Sequence, residues 1–215
     1  MTVRAKICGV NAENALDAAL AGGAAEIGFN FYPPSPRAVS PGRAAELARH
    51  VPSGVTKVAV VVDGDDAMLG AIVGALRPDV LQLHGKETPE RVEAIKRRFG
   101  ARTMKAISIA GADDVAVAGR YLGAADRLLF DAKPPKDRTG LMPGGNGLVF
   151  DWQLLAEQRW PLPWLLSGGL SPENVVEAVK TSGARAVDVS SGVEDRPGVK
   201  SPDKIRAFLA ALRDL

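Results

Sequence analysis

The fold is most visible in the stretch VRAKICGV at residues 3–10, a short apolar run that stops at Gly9. An apolar run bounded by glycine is typical of a buried β-strand. The single cysteine of the chain, Cys8, occupies the end of this strand. Parallel α/β folds carry their chemistry at the carboxyl ends of the strands, so Cys8 is a candidate functional residue.

Similar apolar runs alternate along the chain with segments of helical periodicity. We expect strands over residues 3–7, 26–30, 56–62, 80–83, 103–107, 127–130, 164–166 and 185–189. We expect helices over residues 12–22, 41–50, 65–76, 88–98, 111–120, 151–157, 172–181 and 202–213. Four of these helices begin with a capping side chain and a first-turn proline, at Ser40-Pro41, Thr88-Pro89, Ser171-Pro172 and Ser201-Pro202.

This alternation predicts an α/β fold. Each unit of strand and helix takes roughly 27 residues, which agrees with the ~200 to 250 residues of an eight-unit barrel. We therefore predict a single (β/α)8 TIM barrel, one domain that spans residues 1–215. The alternative is an open doubly wound sheet, which would need a glycine-rich dinucleotide-binding turn that this sequence lacks.

The composition is typical of a soluble globular protein. Hydrophobic residues make up 46% of the chain, and the net charge is +2. The basic cluster at residues 96–98 favours a solvated last turn of a helix over a nucleic-acid site. No apolar run reaches the ~18 residues of a membrane span, so neither nucleic acid nor membrane is an expected partner.

Cysteine usage indicates the compartment. One cysteine cannot form an internal disulfide, which favours a reducing environment. The first residues lack the charged and then apolar pattern of a signal peptide, so we expect the cytoplasm.

Two loops predict a phosphate site. LSGGL at residues 166–170 follows the seventh predicted strand, and DVSSGVE at residues 188–194 surrounds the end of the eighth. Barrels often bind phosphate between these two loops, because glycines let backbone N–H groups approach the oxygens and a helix N-terminus adds a favourable dipole. Either loop alone would be interpreted as a simple turn, but the pair favours phosphate binding.

Asp131 follows the sixth predicted strand, where the next segment offers no helix for it to cap. That segment, residues 132–147, begins with AKPP and contains GGNG at residues 144–147. A long loop of this kind over a barrel mouth is a candidate lid, with an unconstrained surface loop as the alternative.

Two further side chains lie at predicted strand ends. Arg37 ends the stiff segment PPSPR after the second strand, where its paired N–H donors could bind a carboxylate. A structural salt bridge is an equal alternative for this arginine. His84 ends the fourth strand and faces the mouth, which makes it a candidate for substrate contact.

Together these segments resemble the phosphoribosylanthranilate isomerase family along the whole chain. The matching segments are KICG at residues 6–9, PSPR at 34–37, LQLHG at 81–85, Asp131, GNG at 145–147, FDW at 150–152, LSGGL at 166–170 and DVSSGVE at 188–194. KICG and DVSSGVE are the most specific of these segments. The loop after Asp131 is longer than expected for compact members of this family.

The resemblance implies an isomerase of tryptophan biosynthesis. Its substrate would be N-(5-phosphoribosyl)anthranilate, and its product 1-(2-carboxyphenylamino)-1-deoxyribulose 5-phosphate. By the same resemblance, Asp131 would be the general acid on the ribose ring oxygen, and Cys8 the base that removes the C2 proton. Arg37 would hold the anthranilate moiety. The remaining expected substrate contacts are His84, Gly168, Gly169, Asp188, Ser190 and Ser191.

The residue types fit this chemistry. A thiol with an ordinary pKa of about 8.5 supplies some thiolate at neutral pH, and Lys6 would enlarge that fraction if the two side chains share a face of the strand. The reaction needs no metal or redox cofactor, and the sequence contains no ligand cluster with metal spacing.

Several alternatives stay open at this point. A histidine-pathway sugar isomerase or an indole-glycerol-phosphate synthase would share the phosphate loops, but the pair Cys8 and Asp131 argues against both. A barrel that only binds a phosphorylated metabolite is a different class. Members of the resembled family occur as monomers and homodimers, and no apolar stretch predicts which state this chain adopts.

Overall fold

The structure is a computed structural model that describes residues 3–134 and 144–215. Eight parallel strands form a closed barrel in sequence order, which confirms the predicted fold and excludes the open sheet. The strands are β1 Arg4–Cys8, β2 Glu26–Asn30, β3 Thr56–Val61, β4 Val80–Leu83, β5 Arg102–Ile109, β6 Arg127–Ala132, β7 Trp164–Leu166 and β8 Ala186–Val189. The barrel closes where β8 pairs with β1, with Asp188 opposite Lys6.

Helices follow the strands around the outside of the barrel. They are α1 Glu13–Ala21, α2 Pro41–Ala48, α3 Asp66–Leu76, α4 Pro89–Phe99, α5 Ala112–Val117, α6 Gln153–Ala156, α7 Val175–Ser182 and α8 Pro202–Ala211. Ser40 and Thr88 cap α2 and α4 through their side chains, as predicted. Ser201 takes the cap position of α8 without a side-chain hydrogen bond.

The predicted start of α7 at Ser171-Pro172 is wrong. The helix begins at Val175, and Asn174 occupies its cap position. The amide of Asn174 accepts a hydrogen bond from the Ser171 N–H at 2.8 Å and donates to the Gly169 carbonyl at 2.9 Å. These bonds fasten the segment to the glycine loop after β7 and prevent it from joining the helix.

Alternation along the strands creates two cores. Val58 and Val60 of β3 face the barrel interior, whereas Ala59 and Val61 pack against the outer helices. The interior cluster consists of Cys8, Val58, Val60, Val80, Met104, Ala106, Leu129 and Leu165. Cys8 thus lies at the upper end of an apolar interior.

One element was absent from our predictions. Strands β9 Glu194–Arg196 and β10 Val199–Lys200 form an antiparallel hairpin after β8. Its turn contains Gly198, at φ +81°, where an added Cβ would lie 2.3 Å from the Pro36 carbonyl oxygen. The hairpin therefore packs closely on the loop that carries Arg37.

The basic cluster at the end of α4 is balanced by carboxylates. Lys96 pairs with Asp126, and Arg98 lies 3.1 Å from Asp66. Arg97 lies 3.4 Å from Glu93 one turn earlier on the same helix. Among the described residues, no helix is long and apolar enough to cross a membrane.

Candidate active site

A cavity opens at the carboxyl ends of the barrel strands. All of the residues that the sequence proposed for the site line this cavity: Cys8, Arg37, His84, Asp131, Gly168, Gly169, Asp188, Ser190 and Ser191. They come from six different strand ends or the loops that follow them, and barrel closure brings them together. Their individual roles stay predictions.

A buried ion pair lies beside Cys8. The Lys6 Nζ donates to Asp188 Oδ1 at 2.8 Å, and the Ser167 hydroxyl donates to Asp188 Oδ2 at 3.1 Å. Lys6 is completely buried, and Asp188 nearly so. Burial disfavours the ammonium, but Asp188 and the neighbouring Cys8 outweigh this effect and raise the pKa of Lys6 above its ordinary value.

Lys6 favours the thiolate of Cys8, as the sequence suggested, but burial has the larger effect. The two side chains share the inner face of β1, as their spacing predicted. Burial of the thiol raises the pKa of Cys8, and this effect exceeds the opposing attraction of Lys6. In the free protein the thiol form is therefore favoured at neutral pH.

Gly28 gives Lys6 and Cys8 the space to lie side by side. A Cβ at Gly28 on β2 would lie 3.1 Å from the Lys6 Cε and Nζ and 3.2 Å from the Cys8 Cα. This glycine was not predicted as a site residue, since nothing in the local pattern of β2 indicates that it pairs with Cys8 on the neighbouring strand.

Asp131 is held by hydrogen bonds on the opposite side of the cavity. Its Oδ2 lies 3.2 Å from the His84 Nε2, and its Oδ1 accepts from the Ala132 N–H at 2.9 Å. The His84 Nδ1 lies 2.9 Å from the amide nitrogen of Gln82, a residue that the sequence analysis missed. Gly144 covers this group, because a Cβ there would lie 2.5 Å from Asp131 Oδ2.

The two glycine loops require glycine for different contacts. Gly168 has φ +88°, and a Cβ there would lie 2.6 Å from the Ala132 nitrogen. A Cβ at Gly192 would lie 1.9 Å from the Leu170 carbonyl oxygen, so the loops after β7 and β8 touch. Only a three-residue 3-10 turn, Ser191–Val193, follows β8 directly. An α-helix N-terminus therefore does not follow β8 directly, and the Ser190 hydroxyl in this loop donates to the Cys8 carbonyl at 3.2 Å.

Arg37 forms the salt bridge that the sequence left open as an alternative, while also lining the cavity. Its Nε and Nη2 donate to the two carboxylate oxygens of Glu194 at 2.7 and 2.8 Å. The Lys200 Nζ donates to Glu194 at 2.7 Å and to the Ser190 carbonyl at 2.9 Å. This buried network joins the Arg37 loop to the loop after β8.

The network also sets the charges of its members. Burial alone would raise the pKa of Glu194, but Arg37 and Lys200 lower it on balance. Burial lowers the pKa of Lys200 despite the nearby carboxylate. Neither Glu194 nor Lys200 was predicted as a site residue, although Glu194 ends the DVSSGVE segment.

The predicted lid is described in part. Residues 135–143 lie outside the described residues, whereas Gly144 and Gly145 line the cavity. The Gly145 carbonyl accepts from Arg37 Nη2 at 3.2 Å. Within residues 3–134 and 144–215, no group of three metal-binding side chains is found.

Comparison with known proteins identifies the family. A family model of N-(5'-phosphoribosyl)anthranilate (PRA) isomerase matches residues 5–211. The chain belongs to the PRA isomerase family. The PRA isomerase of Paramagnetospirillum magneticum is 56% identical over 213 residues, which cover 99% of this chain and 98% of that one.

Solved PRA isomerases share the fold along their whole length. One, in complex with reduced 1-(o-carboxyphenylamino)-1-deoxyribulose 5-phosphate, superposes with a TM-score of 0.83 at 32% identity, covering 99% of this chain and 100% of that chain. Monomers generated from the dimeric isomerase of Thermotoga maritima give a TM-score of 0.84 at 33% identity, with the same coverage.

Family membership decides between the alternatives that the sequence left open. The protein is an isomerase of tryptophan biosynthesis that converts N-(5'-phosphoribosyl)anthranilate into the corresponding 1-deoxyribulose 5-phosphate. Neither a histidine-pathway sugar isomerase nor an indole-glycerol-phosphate synthase is supported. A barrel that merely binds a phosphorylated metabolite is not supported either.

Proposed function

We propose that Asp131 and Cys8 divide the proton transfers of this isomerisation, Asp131 as general acid and Cys8 as general base. The observation that carries the proposal is that both side chains reach one cavity from different strands. Asp188 also lines it, but the buried Lys6 ammonium pairs with its Oδ1 at 2.8 Å and favours the ionised carboxylate, whereas the partners of Asp131 are a backbone N–H and an imidazole ring. This favours Asp131 over Asp188 as the proton donor.

In the first step Asp131 donates its proton to the ribose ring oxygen. The bond between C1 and the ring oxygen breaks, and the lone pair of the anthranilate nitrogen forms the C1=N bond of a protonated imine. The Ala132 N–H and His84 can stabilise the carboxylate that is left. The two hydrogen bonds also fix the orientation of Asp131 toward the cavity.

In the second step the thiolate of Cys8 removes the proton from C2. The electrons of the C2–H bond form a C1=C2 double bond, and the imine electrons return to nitrogen, which gives an enolamine. The enolamine becomes the ketone when its hydroxyl loses a proton and C1 gains one. This thiolate is the minor form of Cys8, because burial disfavours it more than the charge of Lys6 favours it.

The two ends of the substrate would bind on different parts of the cavity. Arg37 is the donor for the anthranilate carboxylate, held in place by Glu194. The backbone at Gly168 and Gly169 and the hydroxyls of Ser190 and Ser191 would hold the phosphate. His84 and Asp188 complete the wall of the cavity between these ends.

The proposal also covers the compartment, domain extent and oligomeric state of the enzyme. A base that must stay a free thiol fits a reducing compartment, so we place the enzyme in the cytoplasm. We also propose that residues 1–215 form one catalytic domain. Its substrate would be its main partner, and the chain would act as a monomer or homodimer. Subcellular fractionation and light scattering of the purified protein test these two points.

The decisive experiment compares Cys8→Ala with Asp131→Asn. Each variant loses one proton transfer, so kcat should fall by about 10²- to 10⁴-fold in each. Binding of a product analogue, measured by calorimetry, should change little, because neither group is needed to hold the ground state. Near-normal kcat in either folded variant would show that the assigned role is wrong.

A matched control distinguishes chemistry from stability. Asp65 caps α3 by accepting from the Met68 N–H at 2.8 Å and lies outside the cavity lining. Asp65→Ala should therefore lower the melting temperature, since a lost cap costs about 0.5 to 2 kcal/mol, and leave kcat unchanged. If Asp131→Asn behaved like Asp65→Ala, Asp131 would be only a structural residue.

A further inference from the structure

Gln82 is a completely buried polar residue inside the barrel that the mechanism above does not use. It lies on β4 in register with Val60 of β3 and Met104 of β5, which are both buried and apolar. Its amide nitrogen is 2.9 Å from the His84 Nδ1, and the His84 Nε2 is 3.2 Å from Asp131 Oδ2. The Gln82 Oε1 has no hydrogen-bond partner among the described residues.

With the Gln82 amide in this orientation, the geometry implies which ring nitrogen of His84 carries the proton. An amide NH2 group can only donate, so the Nδ1 that faces it must be the acceptor. The ring proton then lies on Nε2 and is donated to Asp131. Rotating the amide by half a turn would place Oε1 against Nδ1, and the Nε2 lone pair would then face the carboxylate.

The tautomer matters because His84 and Asp131 compete for a proton. An imidazole has an ordinary pKa of about 6.5 and a carboxyl group one of about 3.9. A histidine with a free Nδ1 could therefore bind the proton that a neighbouring carboxylic acid needs as general acid. The result would be an ion pair of imidazolium and carboxylate, in which Asp131 itself has no proton to donate to the substrate.

We propose that Gln82 is a positioning residue that keeps the transferable proton on Asp131 by donating a hydrogen bond to the His84 Nδ1. The amide occupies the one site at which the ring could bind a second proton. His84 then donates through Nε2 to Asp131, so the acidic O–H points to the substrate. This inference rests on the proposed role of Asp131.

The charged groups around the turn after β4 are engaged elsewhere. The Lys105 Nζ donates to Glu87 at 2.8 Å and to the carbonyls of Leu83 and Gly85. Glu87 in turn accepts from the backbone N–H groups of Asp63 and Gly85. Among the described residues, Gln82 is thus the group that contacts Nδ1, and Asp131 the one that contacts Nε2.

Nuclear magnetic resonance can test the tautomer directly. The chain has two histidines, so ¹⁵N-histidine labelling gives a simple spectrum, and a His50→Gln variant assigns it. In the unmodified protein at neutral pH, His84 should be the neutral Nε2–H form. Gln82→Glu places an acceptor opposite Nδ1, which should become protonated. An Nδ1–H form in the unmodified protein would overturn the inference.

Kinetics of the same variants supply the second readout. Gln82→Met keeps the side-chain length without a donor, and Gln82→Glu attracts the proton to His84. We expect kcat to fall by about tenfold or more, with the larger loss in Gln82→Glu, while KM changes less than about threefold. Gln158→Glu, at an exposed glutamine, is the control for the added charge and should keep full activity.

The outcomes separate this inference from the proposed function. If Asp131→Asn is inactive but both Gln82 variants keep full kcat, Gln82 has no positioning role and the assignment of Asp131 stands. If Asp131→Asn stays active, the general-acid role fails, whereas the spectrum of the unmodified protein still decides the tautomer. If Gln82→Glu does not fold, the spectrum of the unmodified protein still tests the tautomer, and the kcat of Gln82→Met still tests the positioning role.

Discussion

The two halves of the active site are built by different kinds of interaction. On the side of Cys8, strands β1 and β8 bring together a buried lysine and a buried aspartate at 2.8 Å. On the side of Asp131, strands β4 and β6 supply hydrogen bonds from His84, which Gln82 contacts in turn. Full charges thus surround Cys8, whereas a chain of hydrogen bonds holds Asp131.

The difference has an energetic consequence. A buried ion pair is costly to break, because the remaining charge stays desolvated and unpaired. A buried amide whose oxygen already lacks a partner contributes less to stability. Replacing it by an apolar side chain of similar length should therefore lower the free energy of unfolding less. We therefore expect changes near Cys8 to affect stability and chemistry together, and changes near Asp131 to affect mainly chemistry.

The largest expected effect comes from breaking the ion pair. Lys6→Met leaves Asp188 buried without its cation, which should lower the free energy of unfolding by about 3 to 5 kcal/mol. Denaturant unfolding measures this loss. Gln82→Met serves as the comparison, for which we expect a smaller loss of unfolding free energy. The double variant Lys6→Met with Asp188→Asn should recover much of the stability. Equal losses in Lys6→Met and Gln82→Met would remove the contrast between the two halves.

A second prediction extends the comparison to the network behind Arg37. Glu194→Gln removes the charge that holds Arg37 and Lys200, so Arg37 should lose its fixed orientation. We expect KM to rise by about tenfold, with a smaller change in kcat, if Arg37 acts in binding as proposed. Steady-state kinetics decide this, and a fall in kcat at constant KM would contradict it.

The third prediction concerns the thiol. Because burial raises the pKa of Cys8, thiolate absorbance should appear only at a pH above the ordinary range of a thiol. Lys6→Met removes an attraction and should move this titration to higher pH. Asp188→Asn removes a repulsion and should move it to lower pH. The single cysteine makes the ultraviolet measurement specific, with Cys8→Ala as the blank.

The smallest effect is expected at the surface. Glu13 and Arg43 form an exposed ion pair at 2.7 Å, which lowers the pKa of Glu13 to about 2. Water and salt screen such pairs, so Glu13→Gln should leave the melting temperature and kcat within error of the unmodified protein. A marked fall in melting temperature or kcat would mean that burial does not distinguish strong from weak ion pairs in this molecule.

Local sequence patterns predicted the barrel strands within one or two residues at each end. Buried parallel strands are apolar and end at glycine or polar residues, so each one is visible without its neighbours. The start of α7 was wrong because Asn174 bonds to the Gly169 loop, a contact that no periodicity records. The hairpin of β9 and β10 was missed because its short polar strands resemble a loop.

The sequence by itself predicted the eight strands, the family motifs and nine of the residues that line the cavity. Only the tertiary structure decided which of them are paired and how they ionise. Lys6 and Asp188 are 182 positions apart, and they are in contact only because β8 closes against β1. Gln82 lies two residues before His84, but its orientation depends on the apolar interior around it. Charge and hydrogen bonding depend on distance and burial in space, which barrel closure sets and local sequence does not.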